Sequence, residues 1–209
     1  MSPKTLIPAA LLMLAAAAPA QALVVDYSGT FQGTVQADPL PLGFTPSHPE
    51  SYWDGAAVSG SFEFRLSDPQ YQFGADPHVG YIDPAGYLKL SYTVNGTSFV
   101  YETAMPAIEL SQSNAGQGVE IRTSFQPKYQ GGTLSFLGTG LFSNFDPNTI
   151  TLGAGLGAFA TSFADPNAAM FFNVAVDGYA VSAVPEPANA AMFGAGLLAL
   201  WLGALRRRR

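Results

Sequence analysis

The sequence predicts an all-β protein built as an antiparallel β-sandwich, and three observations favour this class. Apolar and polar residues alternate with a period of two over several segments, as they do in half-buried strands. Asn95-Gly96 lies between two such segments and is a strong signal for a tight hairpin. Turn-forming residues separate the segments, and no long helical pattern lies between the two termini. We therefore expect a jelly-roll-like or immunoglobulin-like sandwich, with a barrel as the alternative.

About ten short strands are expected from these patterns. We place them at residues 24–35, 58–66, 88–94, 99–101, 107–111, 119–125, 132–138, 140–145, 170–176 and 179–184. Residues 150–160 are rich in Gly, Ala and Leu, and we expect a tightly packed loop there. Six Asp-Pro pairs should stop strands and start turns. Their irregular spacing does not fit a calcium loop, which needs several closely spaced oxygen ligands around a glycine turn.

Composition and charge exclude several classes of function. The chain has 209 residues, of which 48% are apolar and 12% aromatic, enough for a folded core. It has no cysteine, which excludes a disulfide scaffold, a thiolate metal site and a thiol nucleophile. Residues 23–184, a normal length for one domain, carry fourteen acidic and four basic side chains. This balance disfavours binding to nucleic acid or to anionic lipid.

Residues 1–22 have the pattern of a secretory signal peptide. Lys4 supplies the positive start, and an apolar run extends from Leu6 to Ala18. Ala20 and Ala22 satisfy the small-x-small rule for signal cleavage, which would make Leu23 the first residue of the mature chain. We therefore expect an N-terminal signal helix followed by an exported domain over residues 23–184.

The C-terminal segment has three parts in a fixed order. Pro185, Glu186 and Pro187 form an extended junction, because two prolines cannot enter a helix interior or a central strand. Residues 188–205 contain no charge and would span ~27 Å as a helix, close to the ~30 Å of a bilayer core. Arginines then end the chain and should stay in the cytoplasm as a membrane stop: Arg206, Arg207, Arg208 and Arg209.

This arrangement resembles the PEP-CTERM sorting signal of Gram-negative bacteria. The resemblance covers residues 184–209 and is strengthened by the signal peptide at the other end. It implies recognition by an exosortase, an integral-membrane cysteine transpeptidase that would cut near Pro185-Glu186-Pro187. It also implies delivery of the exported domain from a membrane-anchored precursor to the cell surface or the exopolysaccharide matrix. A single-pass protein that keeps its anchor is the alternative.

The exported domain shows no catalytic motif, so we predict no enzyme, no cofactor and no metal site. His48 and His78 are expected in loops, and no Gly-x-Ser-x-Gly elbow accompanies them. Tyr52, Trp53 and Asp54 are candidate carbohydrate-binding residues, since aromatic faces beside polar groups can stack on sugar rings. Packing of a long loop explains the same residues.

The main prediction is an exported structural or interaction protein of the cell surface or the extracellular, exopolysaccharide-associated matrix. A carbohydrate-binding β-sandwich module is the first alternative. A secreted glycoside hydrolase with a carboxylate pair is the second, because fourteen acids could pair in space.

Overall fold

The computed structural model describes residues 25–40, 43–123, 130–153 and 155–183, and these residues form eleven strands. The strands are β1 (Val25–Pro39), β2 (Ala57–Leu66), β3 (Gln70–Ala75), β4 (His78–Ile82), β5 (Tyr87–Val94), β6 (Thr97–Thr103), β7 (Ala107–Ser113), β8 (Gly116–Arg122), β9 (Gly131–Gly138), β10 (Leu156–Asp165) and β11 (Met170–Ala183). A four-residue helix, α1 (Glu50–Trp53), lies between β1 and β2, and a 3₁₀ turn covers Pro147–Thr149.

All eleven strands belong to one sheet, in the order β3-β4-β7-β8-β9-β10-β11-β1-β2-β5-β6. Every neighbouring pair is antiparallel, which confirms the predicted all-β, antiparallel class. The expected division into two separate sheets is not present. The physical reason is β1, which pairs with β11 on one side and with β2 on the other and so joins the two halves.

The sheet curls strongly into a half-barrel, and its inner face encloses the core. Phe62 on β2 and Phe136 on β9 lie four strand positions apart, which would separate them by about 19 Å in a flat sheet. Their ring centroids are 5.7 Å apart. Tyr92 on β5 and Phe163 on β10 stack at 4.1 Å. The curl therefore brings the inner faces of distant strands into contact, and aromatic rings fill the space between them.

Glycine and phenylalanine face each other across β1 and β2. Gly29 lies opposite Phe62, and Phe31 lies opposite Gly60. A Cβ atom at Gly29 would lie 2.4 Å from the Phe62 ring, and one at Gly60 would lie 2.2 Å from the Phe31 ring. Each ring thus lies flat across the neighbouring strand, which only a residue without a side chain allows.

Several predicted elements need correction. No strand is predicted between residues 66 and 88, but the structure has β3 and β4 there. Strand β3 is exposed along its whole length and so buries no alternating residues. Strand β10 begins inside the loop predicted at 150–160. Residues 140–145 form no strand, since Asn144 and Phe145 adopt positive φ values of 60° and 50°. The candidates 170–176 and 179–184 are joined over their described residues in one strand, β11, which ends at Ala183 and whose pairing with β1 shifts between Gln32 and Gly33.

The predicted hairpin turn and three of the six predicted Asp-Pro turns are confirmed, whereas Asp38-Pro39 still pairs within β1. Asn95 and Gly96 have φ values of 49° and 77° and connect β5 to β6, with Val94 opposite Thr97. Aspartates of three Asp-Pro pairs accept a hydrogen bond from the backbone N–H two residues ahead. The distances are 3.0 Å for Asp83, 2.9 Å for Asp146 and 2.8 Å for Asp165. The side chains thereby hold the turns that proline starts.

Candidate functional site

Trp53, the central residue of the predicted sugar-binding group, is buried. It ends α1, only 1% of its surface is exposed, and its ring packs edge-on against Phe99 and Phe172 at 5.9 and 5.5 Å. Stacking on a sugar needs an exposed ring face, so Trp53 does not supply the expected platform. Its indole Nε1 is also buried and has no hydrogen-bond partner among the described residues.

Tyr52 and Asp54 hold the connection between β1 and β2 in place. The half-buried Tyr52 ring stacks on His48 at 4.2 Å, and its carbonyl accepts a hydrogen bond from the Asn95 side chain. Asp54 is exposed, and its Oδ1 accepts a hydrogen bond from the Ala37 backbone N–H at 3.2 Å. The contacts of the three predicted residues are therefore those of a packed loop.

The residues predicted for export and sorting lie outside the described part of the chain. They are the signal-cleavage residues Ala20 and Ala22, the motif Pro185-Glu186-Pro187, the apolar segment 188–205 and the arginines 206–209. Among the residues that the structure describes, no helix is both long and apolar enough to cross a bilayer.

A shallow polar trough crosses the outer face of β11, β1, β2 and β5. We call it the hydroxyl trough; its residues are Ser28, Thr30, Gln32, Ser59, Ser61, Ser91 and Thr93. Sheet register produces it, because Thr30, Ser61 and Ser91 lie directly opposite one another on successive strands. Three adjoining depressions, of about 590, 490 and 440 Å³, follow the trough.

The hydroxyl trough offers free hydrogen-bonding groups in a neutral setting. Within the described residues, its one side-chain hydrogen bond is the 3.5 Å contact between Thr93 and Ser98. Charged groups lie at its ends. Glu63 and the Lys89–Glu102 ion pair, at 2.6 Å, lie at one end, and Asp177 borders the other. Short hydroxyls on a rigid sheet can both donate to and accept from a ligand that itself carries hydroxyl groups.

A second polar cluster lies on the outer face of β4, β7 and β8. His78 begins β4, rather than lying in a loop as expected, and its Nε2 is 3.0 Å from Glu109 Oε2. Arg122 joins the two acids of the cluster: it donates to Glu109 and lies 3.4 Å from Glu120. Burial raises the pKa of Glu120, and the charge of Glu109 adds to this while Arg122 opposes it.

This cluster borders a depression of about 500 Å³ whose other walls include Leu137 and Ala158. Glu109 and Glu120 lie side by side on neighbouring strands and share one guanidinium. Carboxylates that hydrolyse a glycosidic bond instead flank the bond from its two sides. The arrangement therefore has the form of a surface ion-pair network, and it joins residues as far apart in sequence as His78 and Glu109.

Sequence reasoning named the polar sides of these strands but did not identify the hydroxyl trough. The alternation predicts that Ser59 and Ser61 face solvent on one strand and that Ser91 and Thr93 face solvent on another. These side chains form one trough only because of the register in which β1, β2 and β5 pair. Alternation along a single strand does not predict that register.

Neither a search for metal-binding clusters nor comparison with known proteins assigns a function to the described residues. The described residues contain no group of three or more His, Asp or Glu side chains placed to hold a metal ion. The chain matches no protein-family model, no curated protein and no solved structure.

Proposed function

We propose that this chain is an exported, non-enzymatic protein of the cell surface or extracellular matrix, and that its hydroxyl trough contacts exopolysaccharide. An exosortase processes the precursor at Pro185-Glu186-Pro187. The support for export and processing is the order of the sequence features: a signal peptide at the start, and the Pro-Glu-Pro, apolar and arginine segments at the end.

The observation that carries the proposed contact is the hydroxyl trough itself. Its seven side chains are uncharged, and among the described residues only Thr93 makes a side-chain hydrogen bond, whereas the His78–Glu109–Arg122 cluster satisfies its own polar groups. A neutral polysaccharide presents hydroxyls along its length and can exchange hydrogen bonds with each row of the trough. Contacts of this kind are individually weak, so repeated engagement along a polymer would provide the affinity.

Sorting is tested by deleting residues 185–187 in the organism that makes the protein. The deleted chain should stay at full length in the inner membrane, while the unaltered chain loses its C-terminal segment and reaches the surface. Normal release of the deleted chain would contradict the proposal. Replacing Gln112 by Asn, on the exposed end of β7, is the matched control and should not change release.

The polysaccharide contact is tested by sedimentation of the mature protein with exopolysaccharide purified from the same organism. Ser61 is exposed at the centre of the hydroxyl trough, so Ser61→Glu should place a charge on its floor and reduce co-sedimentation several-fold. The control is Gln112→Glu, which adds the same charge on another part of the sheet. Equal binding by the two variants would contradict the role of the trough.

A further inference from the structure

Among the described residues, strand β6 ends the sheet with a regular edge that pairs with no further strand. It is the last strand in the sheet order, and it pairs with β5 over all seven residues without a shift. The two-residue turn makes Val94 and Thr97 a hydrogen-bonded pair, so bonding to β5 alternates along β6. The backbone groups of Ser98, Val100 and Glu102 therefore point away from β5, and no loop among the described residues bonds to them.

The opposite edge of the sheet, β3, is blunted. Its pairing with β4 shifts between Tyr71 and Phe73, which marks a bulge, and the Tyr71 hydroxyl donates to the Gly74 carbonyl at 2.7 Å. Bulges and blocked carbonyls are devices that stop a further strand from adding to an edge. Strand β6 has neither device, and Val100 on its outer face is 55% exposed.

We infer that β6 is the site at which a second copy of this chain adds, antiparallel and about a two-fold axis at Val100. In this register Val100 lies opposite the partner's Val100, and Ser98 lies opposite the partner's Glu102. On the inner face Phe99 lies opposite the partner's Tyr101. The two sheets become one, and the free backbone groups of β6 pair with their equivalents.

Two considerations favour the axis at Val100 over a two-fold axis at another residue of β6: the repulsion between like charges and the number of residues that pair. Centring on Glu102 would place two carboxylates directly opposite each other, which is unfavourable, although Lys89 neutralises each in part at 2.6 Å. Centring on Ser98 would pair only residues 97–99, because β6 begins at Thr97, directly after the Asn95-Gly96 turn. The axis at Val100, the midpoint of β6, pairs all seven residues of the strand, more than any other two-fold axis on β6, and leaves each Glu102 beside a neutral serine.

A single introduced cysteine tests the register, because the chain has none of its own. In the full chain, purified in detergent, Val100→Cys should form a disulfide-linked dimer within minutes of adding diamide, which takes up the two thiol hydrogens and their electrons. The Cα atoms of such a directly opposed pair lie about 5.5 Å apart, within disulfide range. The control is Gln72→Cys at the exposed edge β3, which should link at least tenfold more slowly. Equal rates for the two variants would overturn the inference.

Sedimentation equilibrium supplies a second test that needs no oxidation. The wild-type chain should be a dimer and Val100→Lys a monomer with an unchanged far-UV circular dichroism spectrum, because two ammonium groups would meet at the axis. Val100→Thr keeps the shape without a charge and should remain a dimer. A monomeric wild-type chain, or a dimeric Val100→Lys chain, would contradict pairing through β6.

Discussion

Replacing Trp53 by alanine separates a packing role for this residue from a ligand-binding role. Its side chain is among the largest that are fully buried, and it contacts Phe99, Phe172 and Tyr52. Removal of a buried tryptophan leaves a cavity and typically lowers the free energy of unfolding by about 3–5 kcal/mol. We expect a loss of that size for Trp53→Ala.

Trp53→Phe should behave differently because of the buried indole N–H. That group has no partner among the described residues, and an unsatisfied buried donor costs about 1–3 kcal/mol. Phenylalanine removes this penalty together with part of the apolar contact. The two changes oppose each other, so the net loss for Trp53→Phe should stay below about 2 kcal/mol.

Urea unfolding followed by far-UV circular dichroism measures both variants. If Trp53→Phe destabilises as much as Trp53→Ala, the indole N–H has an acceptor and the packing argument is wrong. If Trp53→Ala leaves the midpoint unchanged but abolishes binding to exopolysaccharide, Trp53 is a ligand-binding residue and not a core residue.

Three further predictions concern the sheet, the core tyrosines and one turn. Gly60→Ala would place a Cβ atom 2.2 Å from a phenylalanine ring and should cost about 1–3 kcal/mol in urea unfolding; Gly153→Ala, with open space around it, is the control and should stay within about 0.5 kcal/mol. Burial raises the pKa of Tyr92 above its ordinary value of 10.0, so unfolding releases its proton above about pH 10. Stability should therefore fall with rising pH there, and Tyr92→Phe should reduce the slope by up to about 1.4 kcal/mol per pH unit; an unchanged slope would refute the assignment. Asp83 is fully buried and accepts hydrogen bonds from backbone N–H groups at 2.6 and 3.0 Å, so Asp83→Ala should lower stability by about 2 kcal/mol or more, and Asp83→Asn by less; equal losses would contradict this account.

Local sequence patterns predict the all-β, antiparallel fold class. They do not predict that the strands join into a single curled sheet. Alternation and the Asn95-Gly96 turn indicate antiparallel strands, because both depend on neighbours in sequence. The single curled sheet depends on β1 pairing with β11, a contact between the two ends of the domain. Strand β3 was not predicted for another reason. Polar and aromatic residues alternate only over Gln70–Phe73, a short run between two Asp-Pro turns.

For the candidate site, too, local sequence patterns predict less than the long-range pairing of strands determines. The sequence made residues 52–54 candidates for sugar binding because aromatic and acidic side chains are adjacent there. In the structure Trp53 is buried in the hydrophobic core. The hydroxyl trough consists of serines and threonines that are unremarkable on any one strand. Only register places Thr30, Ser61 and Ser91 in a row, and a slip of one residue would turn them to the other face.

The central claim is that the chain is exported, cut at its C-terminal motif and delivered to the surface or matrix. The most direct test is the intact mass, with the terminal peptides, of the protein isolated from the organism that makes it. We predict a chain that begins at Leu23 and ends near Pro185 to Pro187, with any added mass at the new C-terminus identifying what it is joined to. A chain that still ends in Arg209 would contradict processing and would make the C-terminal segment a permanent anchor.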